Sequence, residues 1–269
     1  MTKGTTSPKP LLHFAEERSQ NAHLTFFNGG GQYNTRRVYL GCQKSGCAHS
    51  AAMPKWLKMC VGILLLPVCF ATARALWLEL AHAGGFDRVW LPLLAGAACW
   101  VVIFLLLPKP MWIYVFGHEL THAVWTWAFG GSVKHFKASS TGGRVLTTKT
   151  NFLIALAPYF FPFYAVVIVA LFIVGDLIWG WRRTYQPWFH LLLGAAYAFH
   201  LTLTWEILKT RQTDITSQGY LFSGVIIFLG NALVLAVAVP LLTGHGLLDA
   251  CKWWVQCNAE VLQKLARLL

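Results

Sequence analysis

The chain has 269 residues, of which 56% are hydrophobic and only 12% are charged, and its formal net charge at pH 7 is +12. Soluble domains carry about 25% charged residues, so this composition excludes an ordinary soluble domain and indicates an integral membrane protein. The Lys and Arg residues stand in short clusters between apolar runs. Such clusters are typical of topology signals and of contacts with anionic lipid, so we expect a lipid bilayer and no nucleic acid as partner.

The first 52 residues differ from the rest of the chain. They are polar and lack sustained apolar periodicity, which predicts a disordered N-terminal extension over residues 1–52. Within it, Cys42, Cys47 and His49 have the spacing of half a zinc site, but no second pair follows. Met53 then begins MPKWLKMCVGILLLP, which looks like the start of a membrane protein, and we expect the extension to be dispensable.

Six apolar segments of spanning length follow Met53 and predict an all-α integral membrane protein over residues 53–243. The predicted spans cover residues 59–82, 90–107, 111–129, 151–175, 187–208 and 219–242. Residues 244–269 intersperse apolar residues with Lys and Arg. This pattern predicts an amphipathic C-terminal helix that lies on the membrane.

A segment without helical pattern separates the third and fourth predicted spans. It reads GGSVKHFKASSTGGRVLTTKT, residues 130–150. Gly130 and Gly131 can end the preceding helix as a C-cap. Apolar residues on both sides of STGG then predict a short membrane-associated β-hairpin with a glycine turn.

The third predicted span contains the motif HELTH, with His118, Glu119 and His122. Residues four apart on a helix share one face, so the two imidazoles can bind one zinc ion. Zinc lowers the pKa of a water that it binds, and Glu119 is placed to remove the proton without being a ligand. Burying these three groups in lipid costs several kcal/mol unless they are paired or bind metal. The alternative is that one histidine neutralises Glu119 in a helix–helix contact.

A catalytic zinc usually takes three protein ligands. The candidates for the third are Asp176, His190, His200, Glu206 and Asp214. Asp176 reads as a helix-end residue, and Glu206 as the partner of Lys209 in an ion pair. His200 lies mid-span, where packing does not explain it, whereas Asp214 on its own reads as a solvated loop acid beside Arg211. The residues alone leave the third ligand open.

The HExxH motif in an apolar helix, the glycine-containing hairpin and the later aspartate resemble the site-2 protease family of intramembrane zinc metalloproteases. Residues 117–231 resemble a bacterial membrane metallopeptidase subgroup, with RQTDI…GYLFS…N in place of the family's aspartate motif. The resemblance implies one Zn²⁺ per chain, held by His118, His122 and Asp214, with Glu119 as the catalytic base. It also implies a bacterial cytoplasmic (inner) membrane location. Ile215 follows Asp214 where the family commonly has glycine.

The expected function is zinc-dependent hydrolysis of peptide bonds in membrane-embedded protein or peptide substrates. The hairpin can hold a substrate in extended form by adding a strand, and His200 or Asn231 is a candidate for oxyanion stabilisation. The alternatives are a non-proteolytic metal-binding membrane protein, such as a transporter or assembly factor, and a structural membrane protein. Glu119 favours the protease, because a transporter needs ligands but no base beside them. The sequence does not indicate the oligomeric state.

Overall fold

The computed structural model describes residues 22–27, 33–38, 42–44, 53–140, 142–244 and 246–267, and these are mostly helical. In chain order the helices are α1 (Lys55–His82), α2 (Leu91–Leu106), α3 (Met111–Ala128), α4 (Phe152–Phe160), α5 (Phe163–Trp179), α6 (Arg182–Leu208), α7 (Thr213–Gln218), α8 (Tyr220–Thr243) and α9 (Leu247–Ala266). The strands are β1 (Ala22–Phe27), β2 (Tyr33–Val38), β3 (Cys42–Lys44), β4 (Val133–Ser139) and β5 (Gly142–Thr147).

Four helices of the described residues are long and apolar enough to cross a membrane. They are α1, the continuous helix Phe86–Leu106 that contains α2, α6 and α8. These confirm a helical protein of membrane character, and they match the first, second, fifth and sixth predicted spans. The third predicted span forms α3, but its polar residues, including His118, Glu119 and His122, keep it out of this set. The prediction of six spans is therefore not confirmed.

The fourth predicted span, residues 151–175, is not one continuous helix. It forms α4 and α5, whose axes are bent by 74° across a short break. Phe161 has an extended backbone there (φ −95°, ψ 107°), as expected of a residue before proline. Asn151 caps the start of α4 by accepting a hydrogen bond from the Ile154 N–H at 2.8 Å. The bend makes α4 a short buried helix that packs against α3.

The predicted hairpin is confirmed. β4 and β5 pair in antiparallel register, from Val133 opposite Thr147 to Ser139 opposite Gly142. β5 lies between β4 and β3, so β4 is the edge strand of this sheet within the described residues. The predicted glycine C-cap is also present. Gly130 has φ +67°, its N–H donates to the Trp127 carbonyl, and the Gly131 N–H donates to the Thr126 carbonyl, both at 2.8 Å.

For the predicted N-terminal extension, the structure describes only the three short strands β1 to β3. The expectations of disorder and dispensability for the remaining residues of 1–52 lie outside the described residues. The same holds for the possible Cys42–Cys47–His49 half-site, because Cys47 and His49 are not described.

The predicted C-terminal helix is present as α9, and it packs against the second half of α1. Cys257 is buried beside Ala71 and Ala75. The Trp254 indole N–H donates to the Thr72 hydroxyl at 3.0 Å. Helix α9 has the amphipathic pattern that was predicted, and side-chain contacts also hold it against the first span.

The helices α2 and α6 approach each other through glycine. A Cβ atom at Gly96 would collide with the Leu191 carbonyl, and one at Gly194 would collide with the Leu93 carbonyl. Small residues let the backbones of membrane helices come this close, where van der Waals packing holds them together.

Replacing Gly194 with leucine is expected to destabilise the protein by roughly 1–3 kcal/mol or more, because the colliding atom belongs to a backbone that cannot move aside. The measurement is thermal unfolding of the purified chain in detergent. The matched control is Gly224→Leu, since a Cβ atom at Gly224 meets nothing within 4 Å. An equal loss of stability in both variants would contradict the close helix approach.

Candidate metal centre

Helix α3 carries its three motif residues into the protein interior. Its buried residues recur at helical spacing, with Tyr114, His118 and His122 along one line of the face. His118, Glu119 and His122 are 3%, 0% and 0% exposed, so they face protein and not lipid. The His122 Nδ1 atom lies 2.8 Å from the Ile154 carbonyl, to which its N–H can donate. This bond turns the opposite ring nitrogen, Nε2, toward the interior.

The short helix α7 brings Asp214 to the two imidazoles. Asp214 Oδ2 lies 3.4 Å from His122 Nε2 and 3.8 Å from His118 Nε2. One ligand atom from each of the three residues lies within 4.8 Å of the others. Asp214 is 4% exposed, so its interpretation as a solvated loop acid is wrong.

These donors fit zinc. Ligand atoms about 2.0–2.1 Å from a tetrahedral zinc lie roughly 3.3 Å apart, close to the separations of Asp214 from the histidines. Two imidazoles and a carboxylate are ligands that zinc accepts. Among the described residues, the buried Nε2 atoms of His118 and His122 have the Asp214 carboxylate as their polar neighbour and no other hydrogen-bond partner, as expected of nitrogen atoms that share a metal with it. The group can therefore hold a metal ion.

The segment around Asp214 is fixed by its own hydrogen bonds. The Ser217 hydroxyl donates to the Asp214 carbonyl at 3.0 Å, and the Tyr159 hydroxyl donates to Asp214 Oδ2 at 3.5 Å. Lys58 on α1 donates to the Gln218 side chain at the end of α7. Burial raises the pKa of the Asp214 carboxyl, but the adjacent imidazoles of His122 and His118 lower it more, and the net pKa lies below the usual range.

Glu119 lies against strand β5. A Cβ atom at Gly143 would collide with the Glu119 side chain at Cγ and Oε1, so only glycine leaves room for this carboxylate. From the sequence, the STGG segment was predicted as a turn and as part of the family resemblance. The sequence did not show that Gly143 lies beside Glu119, the candidate catalytic base.

Tyr159 is a site residue that sequence reasoning missed. It is fully buried, its ring centroid lies 5.3 Å from that of His118, and its hydroxyl contacts Asp214. Nothing in an apolar run marks one aromatic residue as facing a metal site, so the sequence carried no signal for it.

The other candidates for a third ligand have different partners. Asp176 accepts from the Arg182 N–H at 2.8 Å, and Glu206 pairs with Lys109 at 2.8 Å and with Lys209 at 2.9 Å. These contacts match the readings of Asp176 as a helix-end residue and Glu206 as an ion-pair partner.

The remaining polar candidates lie outside the three-residue group. His190 Nδ1 lies 2.8 Å from the Arg88 carbonyl. Asn231 donates to the Tyr159 carbonyl on α4 and to the Ile227 carbonyl of its own helix, so its amide links α8 to α4. His200 is buried and lines a cavity together with His118.

Comparison with known protein families, with curated proteins and with solved structures gives no match.

Metal analysis of the purified chain is expected to find one bound zinc, which His118→Ala and Asp214→Ala remove because each deletes one of three donors. His200→Leu is expected to keep the zinc at micromolar protein concentration, and so is the control His190→Asn. The measurement is elemental analysis after gel filtration. Zinc retained by Asp214→Ala and lost from His200→Leu would make His200 the third ligand.

Proposed function

We propose that the protein is a zinc-dependent intramembrane metalloprotease of the site-2 type, which hydrolyses peptide bonds of membrane-embedded protein or peptide substrates. The observation that carries this proposal is the Glu119 carboxylate, which follows the candidate ligand His118 on α3, is fully buried and lies against Gly143 of β5. A site built only to bind a metal needs the three donors. It does not need a carboxylate such as Glu119 directly after the first donor, His118, with a glycine opposite to make room for it.

The metal and the chain have separate tasks in this proposal. Zinc, when bound, supplies Lewis-acid polarisation of a carbonyl and lowers the pKa of water. Glu119 takes the proton from the attacking water and returns it to the leaving amine. Asp214 and the two histidines fix the position of the metal, while Tyr159 orients Asp214 through its hydroxyl.

The substrate must be extended where it is cut, because the carbonyl groups of an intact helix are occupied by hydrogen bonds. Among the described residues no strand pairs with the outer side of β4, so an extended segment can add to it as a further strand. The hairpin packs against α3, since the rings of Phe136 on β4 and Phe116 on α3 are in contact with centroids 5.8 Å apart. Strand addition would therefore hold the substrate close to α3.

The four candidate spans support a membrane location for this reaction. The bacterial cytoplasmic membrane is proposed from the family resemblance only. The rival proposal, a non-proteolytic metal-binding membrane protein, predicts that Glu119 is dispensable for function.

Glu119→Gln is expected to keep the zinc and to lower proteolysis by roughly 10²–10⁴-fold, because the amide cannot accept the proton from water. The measurement compares membrane-protein fragments in native-host cells that express the wild type or the variant, together with the metal content of both purified proteins. Identical fragment patterns with normal zinc would reject the protease and leave the metal-binding alternative.

Gly143→Ala is expected to lower cleavage of a substrate found in that comparison by at least tenfold and to leave zinc bound, because the new methyl group displaces the Glu119 carboxylate. The same substitution at Gly224, where nothing lies within 4 Å, is the control and is expected to change neither quantity. Full activity of Gly143→Ala would show that the position of Glu119 against β5 is unimportant.

A further inference from the structure

A small cavity adjoins the metal centre on the side of His118. Its volume is about 20 Å³, and it lies where α3, α6 and the break between α4 and α5 meet. Its polar lining residues are Tyr114, His118, Thr121 and His200, and the aromatic rings of Phe161, Tyr164 and Phe199 complete the wall. We call it the His200 cavity. This volume suits one water molecule, which needs about 10–15 Å³ by the same measure.

Three buried polar atoms of the cavity's lining residues have no hydrogen-bond partner among the described residues. They are His200 Nε2, the Tyr114 hydroxyl and His118 Nδ1; the Thr204 hydroxyl is near enough to interact with Tyr114, but the two do not have the geometry of a hydrogen bond. The exposed fractions of His200, Tyr114 and His118 are 7%, 4% and 3%. An unsatisfied buried polar atom costs about 1–3 kcal/mol, so three of them around one cavity indicate a polar guest. Thr121 is already satisfied, because its hydroxyl donates to the Gly117 carbonyl at 2.7 Å.

The two histidines of the metal group differ in how their rings are held. His122 has the Ile154 carbonyl as a partner for its Nδ1 atom. His118 has no such partner among the described residues, although its ring borders the His200 cavity. A metal-binding histidine almost always donates its second N–H to a carboxylate, a carbonyl or a water, and this bond fixes the tautomer and the ring orientation.

We infer that the His200 cavity binds one ordered water that completes the support of His118. The water accepts the His118 Nδ1–H and the Tyr114 O–H, and it donates to His200 Nε2. It therefore makes three hydrogen bonds, the usual number for a buried water. His200 is then a positioning residue that acts on the metal through His118, and not a ligand or an oxyanion donor. This inference rests on the metal centre of the proposed function.

The test is the zinc dissociation constant of the full chain in detergent, measured by competition with a chelator. His200→Leu is expected to weaken zinc binding 10–100-fold, the usual effect of losing a group that supports a metal ligand. Tyr114→Phe is expected to weaken it several-fold. His200→Gln is expected to recover most of the affinity, since its amide oxygen can accept from the water. The control is Tyr164→Phe, because Tyr164 lines the same cavity but its hydroxyl donates to the Ile113 carbonyl.

A second readout separates positioning from general stability. With Co²⁺ in place of zinc, the visible absorption bands of His200→Leu are expected to shift, whereas those of Tyr164→Phe stay at wild-type positions. If His200→Leu does not fold, Tyr114→Phe gives the result. Wild-type affinity and an unshifted spectrum in a metal-binding protein would overturn the water site and leave the metal centre standing. Absence of zinc binding by the wild type would overturn both.

Discussion

Everything near the metal centre depends on one constraint, which is that polar groups cannot face lipid. His118, Glu119 and His122 sit on one helix of a chain in which four other helices are apolar enough to cross a membrane. Each of these groups costs several kcal/mol in hydrocarbon unless protein encloses it. The structure encloses them with the short helices α4 and α7 and with the β4–β5 hairpin. Non-helical backbone inside a membrane is tolerated where protein buries it, and strand β5, most of whose residues are buried, meets this condition.

The bend between α4 and α5 shows how the enclosure is built. A straight fourth helix would run past α3. The 74° bend instead leaves α4 as a short buried helix, with Ile154 against His122 and Tyr159 against His118. Helix α4 thus supports both histidines of the candidate metal centre. His122 gains a carbonyl partner directly, and Tyr159 reaches Asp214 across the site. Helices α3, α4 and α7 therefore form one unit, and a shift of any of them would move a candidate donor atom or its hydrogen-bond partner.

The sequence predicted what local physics decides. The spacing of HELTH, the glycine end of α3 and the hairpin follow from helical periodicity, from the left-handed conformation that Gly130 adopts and from turn composition, and the structure contains all three. The predicted number of six spans is not confirmed, because α3 is too polar to count as a candidate span and because prolines in an apolar run do not reveal where a helix breaks. The burial of Asp214, and the roles of Tyr159 and Gly143, depend on contacts between residues far apart in the chain. Periodicity carries no information on such contacts, so the residues alone left the third ligand undecided.

The edge strand β4 has a consequence for self-association. An open strand edge invites pairing with any extended chain, including another copy of itself. β4 carries Lys134 and Lys137, both exposed, within VKHFKAS. Two copies that paired along this edge would bring four ammonium groups together, and lysine on an edge strand is a common defence against such pairing. Strand β4 can therefore still pair with an extended segment of another protein, while repulsion between the lysines keeps two copies of this protein from pairing along it.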